Sequence, residues 1–132
     1  MKIKILLLAF LLVAAGGNAQ TTLQVATRTV QKTVTWKPGY EVEINGEKSE
    51  VLVEPASGNT ISVRAELSAK HPMLDSATAD VNAWKFVVSK VGKKIYIRAY
   101  IGLPAGKPLP VSNMKAKITV FLPPQCPINL RN

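Results

Sequence analysis

Residues 59–70 read NTISVRAELSAK, and their alternation decides the fold. Ile61, Val63, Ala65 and Leu67 fall on one side of an extended chain, and Ser62, Arg64, Glu66 and Ser68 fall on the other. Successive side chains of a strand point to opposite faces, so this pattern marks a strand that buries one face and wets the other. A helix would place its apolar residues three and four apart.

The same period recurs in both directions. Upstream, TRTVQKTVTW (27–36) sets Val30, Val34 and Trp36 against threonines and Gln31. Pro38-Gly39 signals a turn, YEVEI (40–44) sets Tyr40, Val42 and Ile44 against Glu41 and Glu43, and Asn45-Gly46 signals another. EVLVE (50–54) follows and is ended by Pro55 and the Ser57-Gly58-Asn59 turn. Downstream, His71-Pro72 breaks the alternation. Residues 73–83 (MLDSATADVNA) then place Met73, Ala77 and Val81 on one helical face, with Asp75 or Ser76 available as a cap. This is the one helix expected.

WKFVVSKV (84–91), a Gly92-Lys93 tip and KIYIRAYI (94–101) form a hairpin pattern, with Ile95, Ile97, Ala99 and Ile101 opposite Tyr96, Arg98 and Tyr100. Residues 102–112 carry three prolines and two glycines and read as a loop. MKAKITVFL (114–122) turns Ala116, Ile118, Val120 and Leu122 inward and Lys115, Lys117 and Thr119 outward. Pro123-Pro124 ends that strand, and Cys126, Ile128 and Leu130 share one phase in the closing segment. Short strands with turn signals between them predict an all-β fold: an antiparallel sandwich or β-roll with one short helix.

The N-terminus has a different grammar. MKIKILLLAFLLVAAGGNAQ (1–20) has Lys2 and Lys4, an apolar run from Ile5 to Ala15, and then the small residues Gly17 and Ala19. That is the layout of a secretory signal peptide over 1–19, leaving a single β-rich domain from Gln20 to Asn132. The run falls short of the roughly 20 apolar residues that a spanning helix needs. Removing it takes the net charge from +9 to +7. An excess of that sign suits anionic glycan or lipid, and export sets nucleic acid aside. One cysteine gives no internal disulfide, so a domain of this size depends on its core.

Candidate chemistry is sparse. His71 and Cys126 would need to meet in space, with a third group to orient the imidazole, before either could serve a nucleophilic reaction. A zinc site needs about four ligands, and one histidine with one thiol supplies too few. Glu41 and Glu43 stand two apart on an outward strand face among lysines. There is no phosphate loop or nucleophile elbow. Trp36, Trp84 and Phe86 fall on inward phases and read as core. Tyr96, Arg98 and Tyr100 form an outward row suited to stacking on a ligand, or else to cross-strand packing within a second covered face.

The INGEK turn, the strand ending in ELSAKHP, the aromatic-led hairpin with its Gly-Lys-Lys tip, and ITVFLPP before a fresh strand together carry a resemblance. Over roughly residues 28–132 the chain resembles the N-terminal part of a family of exported bacterial adhesin-like proteins, whose β-strand-repeat head is a domain of unknown function. The resemblance implies an all-β head leading into stacked right-handed β-solenoid turns, and it carries no catalytic residues. In the family, further short strands follow the segment matching PINLRN. The expectation is therefore a domain incomplete at its C-terminus, whose last strand invites self-association through its edge.

These readings converge on an exported, non-enzymatic, adhesin-like β-structural module of the bacterial cell envelope. It would lie in the periplasm or at the outer surface, with a protein or glycan partner and no cofactor. The alternative is a periplasmic binding or sensing module for an anionic glycan or lipid component, using Tyr96, Arg98 and Tyr100.

Overall fold

The structure, a computed structural model, describes residues 22–46 and 49–131. The signal-peptide segment 1–19 and the mature start at Gln20 lie outside the described residues. In chain order the elements are β1 (Gln24–Thr35), β2 (Glu41–Asn45), β3 (Ser49–Pro55), β4 (Thr60–His71), α1 (Leu74–Val81), β5 (Trp84–Val91), β6 (Lys94–Ile101), β7 (Asn113–Leu122) and β8 (Ile128–Arg131). The fold is all-β with one short helix, as the alternation predicts.

Two four-stranded sheets carry the described residues. Sheet A has the order β1-β4-β7-β3 and sheet B the order β5-β6-β2-β8. Alternation suggested antiparallel pairing throughout, yet both sheets are mixed. β1–β4, β4–β7 and β5–β6 are antiparallel, whereas β3–β7, β2–β6 and β2–β8 are parallel. Period two reports which face is buried, and it is silent on strand direction. YEVEI and EVLVE, adjacent in sequence across Asn45-Gly46, accordingly lie in different sheets.

The inward faces meet in one core. Ile61, Val63, Ala65 and Leu67 of β4 are fully buried against Val42, Ile44, Ile95, Ile97, Ile118 and Val120. Trp84 and Phe86 join them, and Val30, Val34 and Trp36 pack at the margin. Fully burying side chains of this size stabilises by roughly 1.5–3 kcal/mol each. β5 and β6 join through the two residues Gly92 and Lys93, with Gly92 at φ +61°, a left-handed conformation that a side chain would strain. Thr119, expected outward, points that way but is buried on the central strand β7, between Arg64 of β4 and Leu52 of β3 in the cross-strand row.

The helix is shorter than the expected 73–83 and starts differently. Its N-cap is Met73, 62% exposed, in an extended conformation with no side-chain cap. Asp75 and Ser76 therefore sit inside the first turn instead of capping it. Ala77 and Val81 are buried as expected, and α1 packs on β1 and β4. Met73 is excluded from that face because His71-Pro72 hold the chain extended until the helix begins.

Candidate functional site

β6 lies between β5 and β2, so its outward side chains stand within cross-strand rows. Tyr96 is flanked by Ser89 and Glu43, Arg98 by Val87 and Asn45, and Tyr100 by Lys85. Tyr96 is half-buried, Arg98 is exposed and Tyr100 is 36% exposed. Sequence reasoning left open whether this row faces solvent or a second covered layer. Among the described residues nothing covers it.

The Arg98 guanidinium sits 4.6 Å from the centre of the Tyr100 ring. An exposed cation over an aromatic face gains roughly 0.5–1 kcal/mol and is held in a defined orientation. Arg98 and Tyr100 border a depression of about 240 Å³, which Asn45 and the exposed Leu109 line together with Trp84, Ala99 and Ile101 from the inward phases of β5 and β6. Asn45 and Leu109 were not singled out from sequence. The first arrives through β2–β6 register and the second through the 102–112 loop.

That loop is fixed by named contacts. The Gly102 N–H donates to the Ala83 carbonyl at 2.8 Å. The Ser112 N–H and hydroxyl both donate to one carboxylate oxygen of Asp80, at 3.1 and 2.5 Å. The loop is thereby tied to the end of α1 and to the start of β5.

Charge is unevenly spent across this face. Glu43 bridges two cations, with Arg131 of β8 at 2.9 Å and Lys94 at 3.5 Å. The hydrogen bond from Arg131 and the two positive charges hold its carboxyl below the usual carboxylate range, against the opposing pull of desolvation. Arg98 forms no ion pair among the described residues.

A second concavity, about 550 Å³, lies on the outer face of sheet A. One row across it runs Thr29, Glu66, Lys117, Glu50, and Lys115 stands in the next. Each outward residue was legible from its phase, but the row needs the pairing of four strands and was not foreseen. Its two glutamates face two lysines and no aromatic ring lines it, so the surface largely neutralises itself.

The structure keeps the other candidates apart. His71 ends β4, where its Nδ1 accepts the Met73 N–H at 2.9 Å, so it organises the turn into α1. β4 runs antiparallel to β7, which places His71 beside the start of β7, whereas Cys126 follows that strand's far end. Ten residues of strand separate them, on the order of 30 Å. Cys126 is buried in the core, and burial pushes its thiol up. Glu41 and Glu43 lie on the outer face of β2, Glu43 engaged as described. Among the described residues no three potential metal ligands gather. No family model, curated protein or solved structure matches this chain.

Proposed function

We propose that this chain is an exported, non-enzymatic, adhesin-like β-module of the bacterial cell envelope that engages a glycan through the outer face of sheet B. Export rests on the reading of residues 1–19. The site rests on one observation: Arg98, without a carboxylate partner among the described residues, is stacked on Tyr100 at the edge of an open depression. Sugar rings stack on aromatic faces, and an oriented guanidinium supplies paired donors to a hydroxyl or carboxylate.

The same Arg98 favours a second reading, in which the ligand is an anionic glycan component sensed in the periplasm. One assay separates the two. The purified chain is passed over immobilised polygalacturonate, a polyanion, and over neutral dextran. Retention on both, lost in Tyr100→Ala and insensitive to salt, supports a stacking site for neutral sugars. Retention on polygalacturonate alone, falling with salt and in Arg98→Ala, supports the anionic ligand. Retention unchanged in both variants removes this face from the function.

A further inference from the structure

Each sheet of the sandwich ends in an edge strand on both sides, and among the described residues only the β1–β5 side is covered. β3 and β8 are the last strands of sheets A and B on the same side, because Val53 and Pro55 of β3 and Ile128 of β8 border one groove of about 310 Å³. The two strands run in opposite directions. The end of β3 lies by the start of β8 at that groove, while Gly46, shortly before β3, bonds the carbonyl of Arg131 at the end of β8.

Their inward phases are Ser49, Val51, Val53 and Pro55 on β3 and Ile128 and Leu130 on β8, as register with Ala116, Ile118, Val120, Val42 and Ile44 shows. These are core positions, yet Val53 is 50%, Ile128 38% and Leu130 48% exposed. Edge strands with apolar inward phases and no inward charge are open to pairing with another chain.

We infer that two copies of this chain close one another's open side, β3 of each pairing antiparallel with β8 of the other. A two-fold axis along the strands keeps every residue at its own level while exchanging the sheets, so β3 meets its partner's β8. The register follows from setting Val53 level with Ile128, since both line the groove at one end and Gly46 bonds Arg131 at the other. Counting from there, Val51 meets Leu130, Leu52 meets Asn129 and Glu50 meets Arg131. Inward residues meet inward residues, and the outward pair has opposite charges. Glu50 forms no ion pair among the described residues. The alternative two-fold, perpendicular to the sheets, would pair β3 with β3; centred on Leu52 it sets Glu50 against Glu54, a like-charge pair that costs stability, and in every register it offers Glu50 no cation, since β3 carries none. Charge thus favours the β3–β8 arrangement. The result is two continuous eight-stranded sheets with no edge left on this side.

Sedimentation velocity of the full chain over a range of concentrations tests the closure. A reversible dimer is expected, and Val53→Lys should raise its dissociation constant about tenfold or more by placing an ammonium in the shared core. Circular dichroism matching the parent separates this from misfolding. Register is tested by mixing Leu52→Cys chains with Asn129→Cys chains under mild oxidation. The mixed disulfide should dominate, while the native chain, with Cys126 buried, should stay uncrosslinked. A monomer at all concentrations, species larger than a dimer, or a predominance of Leu52→Cys homodimers overturns the proposal.

Discussion

The two sides of the sandwich are built from the same kind of strand but finished differently. On one side, β1 and β5 are the edges. The inward phase of β1 carries Arg28 and Lys32 among Ala26, Val30 and Val34, and that of β5 ends in Lys90. Arg28 reaches across the layers to donate to the Trp84 carbonyl at 2.6 Å, and Trp84 Nε1 donates back to the Ser68 carbonyl at 3.2 Å. α1 packs on β1 and β4. Lys90 lies over the Tyr40 ring at 4.9 Å. On the other side the inward phases of β3 and β8 carry no charge, only Ser49 and apolar residues. An inward charge at an edge repels a docking strand, because pairing would bury it. The contrast teaches that edge protection is local, and that only one side has it.

The largest expected effect breaks the guarded side. Trp84→Ala removes a fully buried ring and the bond to Ser68, and should cost about 3–5 kcal/mol. That is a large share of the roughly 5–15 kcal/mol that holds a typical domain together. Urea unfolding followed by fluorescence of the remaining tryptophan would measure it. The counterpart on the open side, Val53→Ala, should cost less than about 1 kcal/mol in the monomer, since half of that side chain is already in water. Near-equal losses would mean that the two sides are not differently finished.

A smaller effect tests the tie between α1 and the loop. Asp80→Ala leaves the Ser112 N–H and hydroxyl without their acceptor, which should cost about 1–3 kcal/mol. Asp80→Asn keeps an acceptor oxygen and should recover much of that loss in the same measurement. Because the loop also carries Leu109 to the rim of the Arg98 depression, Asp80→Ala should weaken glycan retention more than its stability loss alone predicts.

A third test converts one side into the other. Arg28→Leu with Lys32→Val removes the inward charges of β1 and makes its inward phase apolar from Ala26 to Val34. Additional association through this edge is expected in sedimentation, beyond any dimer of the parent chain. Unchanged association would show that α1, and not the charges, protects β1.

The comparison also marks what could be read in advance. Phase was legible, so the core of β4, the two arms of the hairpin and the Tyr96–Arg98–Tyr100 row were all assigned from alternation. Partnership was not, because side-chain period carries no record of which strand lies alongside. Parallel stacking of β3 on β7 and of β8 on β2, the burial of Thr119 and the contribution of Asn45 all depend on register between distant segments. Arg28 and Lys32 were visible as breaks in an apolar phase. They acquire meaning only when β1 is known to be an edge.

The smallest effect concerns how β8 is held on the open side. β8 has four residues paired to β2, and Arg131 is anchored by Glu43. Arg131 and Lys94 lower the Glu43 pKa in the folded chain relative to its ordinary value, so the folded state binds a proton there less readily than the unfolded state does. The resulting stabilisation is complete above the ordinary carboxylate pKa and is lost as pH falls through the lowered folded value. Glu43→Gln should therefore be less stable than the parent at neutral pH, and the two should converge in acid, once pH has fallen through the lowered Glu43 value. Protection of the β8 amides, the exchange rate divided by the intrinsic rate at each pH and read by mass spectrometry, should fall as pH drops through that value in the parent and change little in Glu43→Gln. An equal fall in protection in both would assign the acid response of β8 to some group other than Glu43, and would leave its four backbone-paired residues held without the ion pair.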